Sequence, residues 1–432
     1  MRIAVLFWRL GPYHHARLNA AAKLADIVGI ETTTEDRTYA WEKVSGATAF
    51  TRVTLLERYP DSWKGRQELR QRLGQALNEI RPDAVAVPGW SYVDALSGML
   101  WCHANRVPCI LMSESAAEDE ARTTWKEALK RCLMKSCSAG LAGGKRQSNY
   151  LRTLGMAPDH ISLGYDAVDN HYFAEKAAEI RNQKAESGKL AQEARPPTAV
   201  LRLQHSLPEK YFLASARFLE KKNLPRLIQA YAKYREKAET LKAEMLKAET
   251  GEKAESRKQK AEIWDLVLLG DGPLRCELER LISDLRLQSS VRLPGFKQYP
   301  ELPAYYGLAS AFIHPSTTEQ WGLVVNEAMA SGLPVLVSNR CGCALDLVQE
   351  GINGFTFDPY NVEQLAQLMF RISAFQPIGL SAFGGASRTI IANWGPERFA
   401  QGLKAAAEKA LEVGPPKANW LNRLLLRVLL LR

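Results

Sequence analysis

Short apolar runs alternate along the first half of the chain with segments whose apolar residues recur at helical spacing. The helical segments include 14–24, 67–80 and 94–104. Short apolar runs separated by amphipathic helices are typical of a parallel sheet whose two faces are covered. The first half is therefore predicted to form an α/β domain, with strands at 3–8, 84–88, 109–112 and 139–143.

The same alternation restarts after Pro208, where five more apolar runs each precede a helical segment. The simplest organisation is two tandem α/β domains, 1–197 and 209–392, with a boundary somewhere in 172–208. A C-terminal helix and basic tail over 393–432 would follow. The strands predicted in the second domain are 211–216, 266–270, 291–293, 311–314 and 335–338.

Two low-complexity stretches interrupt this alternation. Residues 174–197 are rich in Ala, Glu, Lys and Gln, and residues 233–262 repeat the tripeptide Lys-Ala-Glu at irregular intervals. The intervals fit neither a heptad nor one helix face, so a coiled coil is not expected. The first stretch is predicted to be a linker or insertion and the second a solvated, partly helical insertion that adds no core. A partner-docking arm is the alternative for the second.

The composition bounds the class of protein. The chain has 432 residues, of which 46% are hydrophobic and 24% charged, and this balance is globular rather than disordered. No apolar run reaches the length of about 18 residues that a membrane-spanning helix needs. The first apolar run is too short for a secretory signal, and seven scattered cysteines fit a reducing compartment. A cytoplasmic protein is expected.

The net charge of +10 is concentrated in two segments, which predicts contact with something anionic. Residues 122–152 carry eight Lys/Arg against one acid, and residues 414–432 carry four with no acid. Within them, 123–141 and 419–432 show basic, amphipathic patterns that suit an anionic membrane surface. The alternative is that both helices pack on the protein through their apolar stripes. Nucleic acid is not expected, because the basic residues interleave with leucine rather than with base-stacking aromatics.

Two cations follow the first predicted strand of the second domain. Arg217 comes directly after strand 211–216, and Lys222 comes five residues later, just ahead of a helix. Cations beside a helix N-terminus suit a diphosphate, although a simply solvated pair is equally open. The Gly-Asp-Gly-Pro sequence at 270–273 allows a tight turn where another strand meets its helix, either as a structural turn or as a ligand loop.

Two carboxylates eight residues apart flank a third strand-to-helix junction. Glu319 lies on the loop, and Glu327 lies in the first turns of the helix. The backbone N–H groups of Gly322, Leu323 and Val324 lie at the start of that helix and could donate to phosphate or sugar oxygens. A carboxylate can accept hydrogen bonds from two vicinal hydroxyls, so a nucleotide sugar would satisfy both features. The acids could instead be only partners of the helix dipole.

The run from Glu319 to Glu327, with GLVVNEAMASGLP around it, closely resembles the retaining glycosyltransferases of family 4, the group 1 glycosyltransferases. Arg217 and Lys222 fall where that family keeps its diphosphate-binding Arg and Lys. The resemblance covers 209–375 strongly and the first half weakly. It implies the GT-B fold, in which two Rossmann-like domains face a central cleft.

The resemblance also implies roles for individual residues of the second domain. Arg217 and Lys222 would neutralise the leaving diphosphate, and Glu327 would hold the ribose hydroxyls of the donor. Glu319 would contact the transferred sugar. The amides of 322–324 would hold sugar and phosphate.

The nucleotide base would pack near Phe296 and Lys297. Enzymes of this family need no divalent metal, because protein cations stabilise the departing charge. No cofactor is therefore expected, and the sequence contains no Asp-X-Asp motif.

Five residues of the first domain complete the predicted site. A small residue at Gly11, between the first strand and its helix, lets the backbone approach the donor phosphates in this fold. His14 and His15 are candidates for acceptor or phosphate contact, although both cannot face one side of a helix. Glu114 could orient or deprotonate the acceptor hydroxyl, or be a structural loop carboxylate. Trp90 could stack on an acceptor sugar or pack in the core.

The resulting hypothesis is a metal-independent, retaining glycosyltransferase that is cytoplasmic and peripheral on the inner membrane face. It would move a sugar from a nucleotide-diphosphate sugar to a lipid-linked or growing saccharide, in the synthesis of cell-surface polysaccharide or glycolipid. Front-face transfer, in which the leaving phosphate takes the acceptor proton, would need no protein base. The alternatives are a nucleotide-sugar epimerase on the same fold and a catalytically inactive glycosyltransferase-like binding subunit.

Overall fold

The protein forms two compact units, each a parallel sheet with helices packed against it. The first unit comprises Met1–Asp169 together with Trp394–Arg432, and the second comprises Asn170–Asn393. The prediction of two tandem Rossmann-like α/β domains is confirmed. The computed structural model describes residues 1–35, 41–44, 46–58, 60–182, 197–248, 262–416 and 420–431.

The sheet of the first unit has seven strands among the described residues. They are β1 Arg2–Phe7, β2 Asp26–Thr33, β3 Thr51–Leu56, β4 Ala84–Pro88, β5 Cys109–Ser113, β6 Ala139–Ala142 and β7 Ile161–Leu163. Neighbouring strands pair in parallel in the order β3-β2-β1-β4-β5-β6-β7. The central strands are buried on both faces, which explains why they read as continuous apolar runs.

The sheet of the second unit has six strands in the described part of the chain. They are β8 Tyr211–Ser215, β9 Asp265–Leu269, β10 Val291–Gly295, β11 Ala311–His314, β12 Val335–Ser338 and β13 Gly354–Phe357. They pair in parallel in the order β10-β9-β8-β11-β12-β13. This is the doubly wound order of a Rossmann sheet.

Helices follow most strands and cover the two sheets. Those of the first unit begin with α1 Pro12–Ala21, α2 Trp63–Ile80, α3 Val93–Asn105, α4 Thr124–Met134 and α5 Lys145–Thr153. Those of the second unit are α6 Asn170–Asn182, α7 Pro197–Gln204, α8 Leu224–Ala248, α9 Arg275–Asp284, α10 Leu302–Leu308, α11 Leu323–Ala330, α12 Ala344–Leu347, α13 Val362–Ser373 and α14 Pro377–Ile391. The chain then returns to the first unit with α15 Pro396–Val413 and α16 Trp420–Leu429. Short 3₁₀ turns lie at Pro158–His160, Glu220–Lys222, Tyr299–Glu301 and Ala392–Trp394.

Each predicted strand is present, with its ends shifted by two residues at most. Strands β2, β3, β7 and β13 lie outside the predicted set. The apolar pattern of β2 is broken by Glu31, whose carboxylate is fully buried. Arg52 and Thr54 of β3 donate to Glu31 Oε1 at 2.8 and 2.7 Å, so the next strand satisfies this charge.

The boundary between the units falls at Asp169/Asn170, earlier than the range 172–208 in which it was predicted. Helix α6 belongs to the second unit because Phe173 and Ala177 are buried, and Arg181 Nε donates to Gly307 O of α10 at 2.8 Å. The start of the predicted 174–197 linker is thus a packed helix. Its continuation over 183–196 lies outside the described residues.

The prediction that 233–262 adds no core is wrong for its first turns. Helix α8 runs unbroken through Leu224–Ala248, and both Tyr234 and Ala238 are buried in the core of the second unit. The tyrosine ring packs edge-on against Phe212 at 5.4 Å. Residues 249–261 lie outside the described part of the chain.

Two basic helices of the first unit, α4 and α16, are in contact. Asn422 Nδ2 donates to Cys132 O at 3.1 Å, while Leu426 and Leu430 pack in the core. One face of α16 therefore packs on the protein, as the alternative to membrane binding predicted. Other apolar side chains of α16 remain exposed. Of the predicted tail, 419 and 432 lie outside the described residues. The exposed apolar side chains are Trp125, Trp420, Leu421, Leu424, Val428 and Leu431.

Among the residues that the structure describes, no helix combines the length and the apolarity that crossing a membrane requires.

Candidate active site

The residues of the second unit that were predicted to bind the donor follow strands at the carboxyl edge of the second sheet. Arg217 follows β8, Gly270 follows β9 and Glu319 follows β11, and β9 and β11 are the two neighbours of β8. The strand order reverses between β8 and β11, and open parallel sheets bind ligands at such a reversal. The topology therefore brings these loops together at one place.

Lys222 and Glu319 form an ion pair at this edge, with side chains 13% and 14% exposed. The same carboxylate oxygen, Oε2, lies 3.3 Å from His314 Nε2 and 3.4 Å from Ser316 Oγ. His314 is the buried last residue of β11. Because an ammonium has three donors, Lys222 can keep Glu319 and still offer donors to a ligand.

The surroundings keep this carboxylate ionised and the imidazole neutral. Burial alone would raise the pKa of Glu319, but the His314 hydrogen bond and the Lys222 ammonium lower it well below its usual range. Burial lowers the pKa of His314, the Glu319 hydrogen bond opposes this, and the Lys222 charge lowers the pKa further. An ionised carboxylate only accepts hydrogen bonds, so the contact with Glu319 assigns the imidazole proton to Nε2.

Two contacts join the loop after β11 to the 3₁₀ turn after β8. Thr317 N donates to Lys221 O at 2.9 Å. Asn223 is buried with a φ of 58°, and its Nδ2 donates to the carbonyls of Pro315 and Pro359 at 3.0 and 2.7 Å. Asparagine is among the few residues that adopt this left-handed conformation readily. These contacts fix the loops that carry the ion pair.

Two backbone hydrogen bonds from the segment after β12 also hold the Glu319 loop. Gly342 N donates to Glu319 O at 2.9 Å, and Cys343 N donates to Trp321 O at 3.1 Å. Cys341 and Cys343 are both buried. The Cys-Gly-Cys turn therefore acts through its backbone to position the loop.

Helix α11 begins at the same edge and carries the second carboxylate. Gly322 precedes it with a φ of 103°, a conformation that side-chain-bearing residues rarely adopt, and Leu323 and Val324 are partly exposed. Glu327 is 1% exposed, and Tyr306 Oη donates to its Oε2 at 2.5 Å. Burial, reinforced by the Glu327 charge, raises the pKa of Tyr306 well above its ordinary value. Ribose binding by this engaged carboxylate stays a prediction.

The Gly-Asp-Gly-Pro turn packs against the segment that carries Arg217. A Cβ on Gly270, whose φ is 130°, would collide with the carbonyl oxygen of Ala216. A Cβ on Gly272 would lie 2.8 Å from the backbone N and O of Phe218. Both glycines therefore have a structural role, and through it they set the backbone on either side of Arg217.

The residues predicted to pack on the base follow β10. Phe296 is 39% exposed, and Lys297 Nζ lies 3.5 Å from a Glu301 carboxylate oxygen and 5.8 Å from the centre of the Tyr305 ring. An exposed aromatic ring at the carboxyl edge can stack on a base. Base packing itself stays a prediction.

In the first unit, Gly11 is not required by the local fold. Its φ is −87°, and a Cβ there would meet no atom nearer than His14 Nδ1 at 3.8 Å. Gly11 N donates to that nitrogen at 3.2 Å, whereas His15 is 8% exposed with its ring 5.6 Å from Phe50. Burial lowers the pKa of both histidines, and the positive charge of a neighbouring arginine lowers it further, Arg17 for His14 and Arg52 for His15. The two therefore sit in different surroundings, His14 beside Gly11 in the first turn of α1 and His15 in the core.

Two further candidates of the first unit are partly exposed. Glu114 directly follows β5. Burial raises the pKa of Tyr165, and the negative charge of Glu114 raises it further. Trp90 lies 6.4 Å from the Tyr150 ring, with Lys130 Nζ 5.9 Å from the indole. Trp90 thus packs on its own unit, and the roles of both residues toward an acceptor stay predictions.

Within the described residues, no group of three or more His, Cys, Asp or Glu side chains is placed to hold a metal ion. Metal independence remains a prediction, and its physical basis is the pair of cations Arg217 and Lys222.

Sequence reasoning missed three residues that contact the predicted carboxylates. The sequence does contain a local indication for His314 and Ser316, because they lie at the end of a strand and the start of the loop that carries Glu319. It contains none for Tyr306, which lies 21 residues before Glu327 in the sequence and on another helix.

Comparison with known proteins finds a family match over this part of the chain. Residues 202–374 match the family model of the group 1 glycosyl transferases. A sulfoquinovosyl transferase of Arabidopsis thaliana is 41% identical over 101 residues, 23% of this chain and 19% of that protein. An alpha-monoglucosyldiacylglycerol synthase of Acholeplasma laidlawii is 36% identical over 93 residues, 21% of this chain and 23% of that protein. The chain thus aligns with less than a quarter of the length of either relative.

Solved structures resemble the chain over nearly its whole length. HepE of Anabaena in complex with UDP has a TM-score of 0.64 and 17% identity, covering 94% of this chain and 98% of that one. The glycosyltransferase WaaG of lipopolysaccharide biosynthesis has a TM-score of 0.58 and 16% identity, with the same coverage. At these identities the likeness concerns the fold. The match to residues 202–374 supports a group 1 glycosyltransferase domain in the second unit, and the structural neighbours support the fold.

Proposed function

We propose that this protein is a retaining glycosyltransferase that takes its sugar from a nucleotide-diphosphate donor. The observation that carries the proposal is the Lys222–Glu319–His314 cluster, which shares its sheet edge with Arg217. This edge lies at the strand-order reversal of the sheet that matches the group 1 family model. UDP in the structure of HepE supports a nucleotide-sugar donor. The alpha-monoglucosyldiacylglycerol synthase of Acholeplasma laidlawii, whose name describes a glycolipid product, supports a lipid-linked or growing saccharide as acceptor.

In the proposed reaction, the bond between the anomeric carbon and the diphosphate oxygen breaks on the face where the acceptor oxygen attacks. The acceptor proton passes to the leaving phosphate, so no protein base and no metal is required. Arg217 and Lys222 stabilise the developing phosphate charge with donors already fixed in place. Glu319 is held ionised and accepts hydrogen bonds from the sugar, while Glu327 accepts them from the ribose.

The test is turnover of a panel of nucleotide-diphosphate sugars with membrane extract as the acceptor source. Lys222→Ala and Glu327→Ala are expected to abolish transfer in protein that still folds, as judged by circular dichroism. Lys221→Ala is the matched control, because that exposed lysine is the immediate neighbour and should leave turnover unchanged. Unchanged turnover in either site variant would reject the assignment.

The same assay separates the rival functions. An epimerase would convert the donor alone to an epimer without any acceptor, and a binding subunit would bind the donor without turnover. Nuclear magnetic resonance of the product decides the stereochemistry, because retention keeps the anomeric configuration of the donor and inversion reverses it.

We further propose that the protein works at the cytoplasmic face of an anionic membrane, bound through α4 and α16. The support is charge complementarity combined with apolar exposure: Trp125 and Trp420 are 59% and 69% exposed, and lysines and arginines flank them. Tryptophan beside basic residues favours the interface of an anionic bilayer. A double variant Trp125→Ala/Trp420→Ala should lose sedimentation with phosphatidylglycerol vesicles. Trp63→Ala, which removes another exposed tryptophan of the first unit, should not, and equal loss in both would overturn the proposal.

A further inference from the structure

A small cavity of the second unit lies away from the candidate active site, at the other end of α11. Its volume is about 240 Å³, and Arg181 of α6, Arg388 of α14 and Ser331 are among the residues that line it. Gly322 opens α11 at the donor edge, whereas Ser331 follows its last residue. At 1.5 Å per residue, the helix separates the two places by about 13 Å.

The two arginines of this cavity are neighbours. A Cβ on Gly332 would overlap the Arg388 guanidinium and would lie 3.4 Å from Arg181 Nη1. Both residues are exposed overall, yet partial burial and the Arg388 charge lower the pKa of Arg181 to about 10. Two like charges held together repel each other, and an anion between them would relieve the repulsion.

The position of Arg388 is fixed by its own helix. Ser387 Oγ donates to Leu333 O at 2.7 Å, and Gly384 lies so close to Gly332 O that a Cβ would collide with it. These buried contacts dock α14 on the end of α11 and place Arg388 over Gly332. The backbone at Arg388 is therefore held in place, and within the described chain the guanidinium forms no ion pair or side-chain hydrogen bond of its own.

A serine hydroxyl in the lining of the cavity also lacks a hydrogen-bond partner. Ser331 is 1% exposed, and its hydroxyl has no hydrogen-bond partner among the described residues. A buried hydroxyl without a partner is unfavourable unless a ligand completes it. None of the described residues that line the cavity is acidic, and alanines leave the space open.

We propose that Arg181, Arg388 and Ser331 form a binding site for a phosphate group, separate from the donor site. Arginine guanidinium groups match the geometry of phosphate oxygens, and a serine hydroxyl can donate to the same anion. The cavity has room for a phosphate with a small organic substituent, since a water molecule takes about 30 Å³ of liquid volume. Helix α11 joins this site to the residues at Gly322 and Glu327. The site does not depend on the proposed glycosyltransferase function.

The test is calorimetric titration of the full chain with inorganic phosphate and with glycerol 3-phosphate, at constant ionic strength set with chloride. Arg388→Gln should raise the dissociation constant at least about tenfold, and Ser331→Ala about threefold to tenfold, on the usual strength of charged and neutral hydrogen bonds. Arg280→Gln removes an exposed arginine from α9 and should leave binding unchanged. Any phosphate bound at the donor site contributes equally to all variants. The differences in affinity between the variants therefore report binding in this cavity.

The competing explanation is that the arginines only offset the negative end of the α11 dipole. Arg388→Gln would then lower the melting temperature of the ligand-free protein and leave phosphate binding equal to that of Arg280→Gln, and this result would overturn the site. The phosphate site predicts an unchanged or higher melting temperature, because the substitution relieves the repulsion with Arg181. A selenate-soaked crystal should show an anomalous peak between the two guanidinium groups, and an empty cavity there would also overturn the site.

Discussion

Replacing Lys222 with methionine should destabilise the loops of the candidate active site in a way that depends on pH. The substitution keeps most of the side-chain volume and removes the charge that faces Glu319. His314 and Ser316 remain as partners of the carboxylate. The variant therefore isolates the contribution of the ammonium.

The expected size of the effect follows from burial. Breaking a fully buried ion pair costs about 3–5 kcal/mol, whereas an exposed pair contributes about 0.2–1 kcal/mol. The two side chains are 13% and 14% exposed, and His314 still hydrogen-bonds the carboxylate, so about 2 kcal/mol is expected at pH 7. Lys221→Met, on the exposed neighbour, should change stability by less than about 0.5 kcal/mol.

The sign of the pH dependence follows from the lowered pKa of Glu319. A carboxyl whose folded pKa is depressed stabilises the fold above its unfolded value, here 4.5, and loses that contribution as the pH falls toward the folded pKa. Without Lys222 the pKa of Glu319 rises, because burial is then opposed only by the hydrogen bonds from His314 and Ser316. The difference between wild type and variant should therefore shrink by about 1.4 kcal/mol per pH unit below about 4.5.

Hydrogen exchange of peptides within 311–345 is the suitable assay, because the two units can unfold separately and a global transition would mix them. Exchange is measured from pH 3.5 to 7 and corrected for the intrinsic rate. Equal protection in Lys222→Met and Lys221→Met at pH 7 would refute the reasoning. So would a gap between wild type and Lys222→Met that stays constant over this range.

Three glycines give further predictions. Gly270→Ala should cost at least about 2–3 kcal/mol and lower donor affinity, because its Cβ meets the carbonyl of Ala216 at a φ of 130°; calorimetric melting checks this, and a melting temperature equal to wild type would contradict it. Gly322→Ala should cost about 1–2 kcal/mol, mostly as backbone strain, because the nearest side-chain atom would be 3.4 Å away; Gly74→Ala, inside α2 with open space around it, should not destabilise the fold. Gly11→Ala should change stability by less than about 0.5 kcal/mol yet abolish turnover, because only the ligand needs that space; full turnover would show that the donor does not approach Gly11.

The parts of the fold that the sequence predicts are those in which local pattern and burial agree. The central strands β1, β4, β5, β8 and β11 are apolar and buried on both faces, so the runs stand out. Strand β2 is missed because Glu31 is satisfied by a strand that follows it by about twenty residues. The unit boundary is misplaced for a similar reason, because Phe173 and Ala177 acquire their partners far along the chain.

The candidate site divides in the same way. Its residue types follow from the family-like run Glu319–Glu327 and from the cations after β8. The ion pair between Lys222 and Glu319 joins residues 97 positions apart, and no local pattern reports such a contact. The hydrogen bonds that Thr317 and Gly342 donate come from backbone atoms. Sequence patterns specify such backbone contacts only weakly.

The central claim is that the carboxyl edge of the second sheet binds a nucleotide-diphosphate sugar through Arg217 and Lys222. Calorimetric titration of a panel of such donors, beginning with UDP-glucose, tests it most directly. At least one donor should bind wild type and Lys221→Ala equally and bind Arg217→Ala/Lys222→Ala at least about a hundredfold more weakly, since two charge-assisted contacts are lost. Absence of binding by every donor, or equal affinity in the double variant, would contradict the claim.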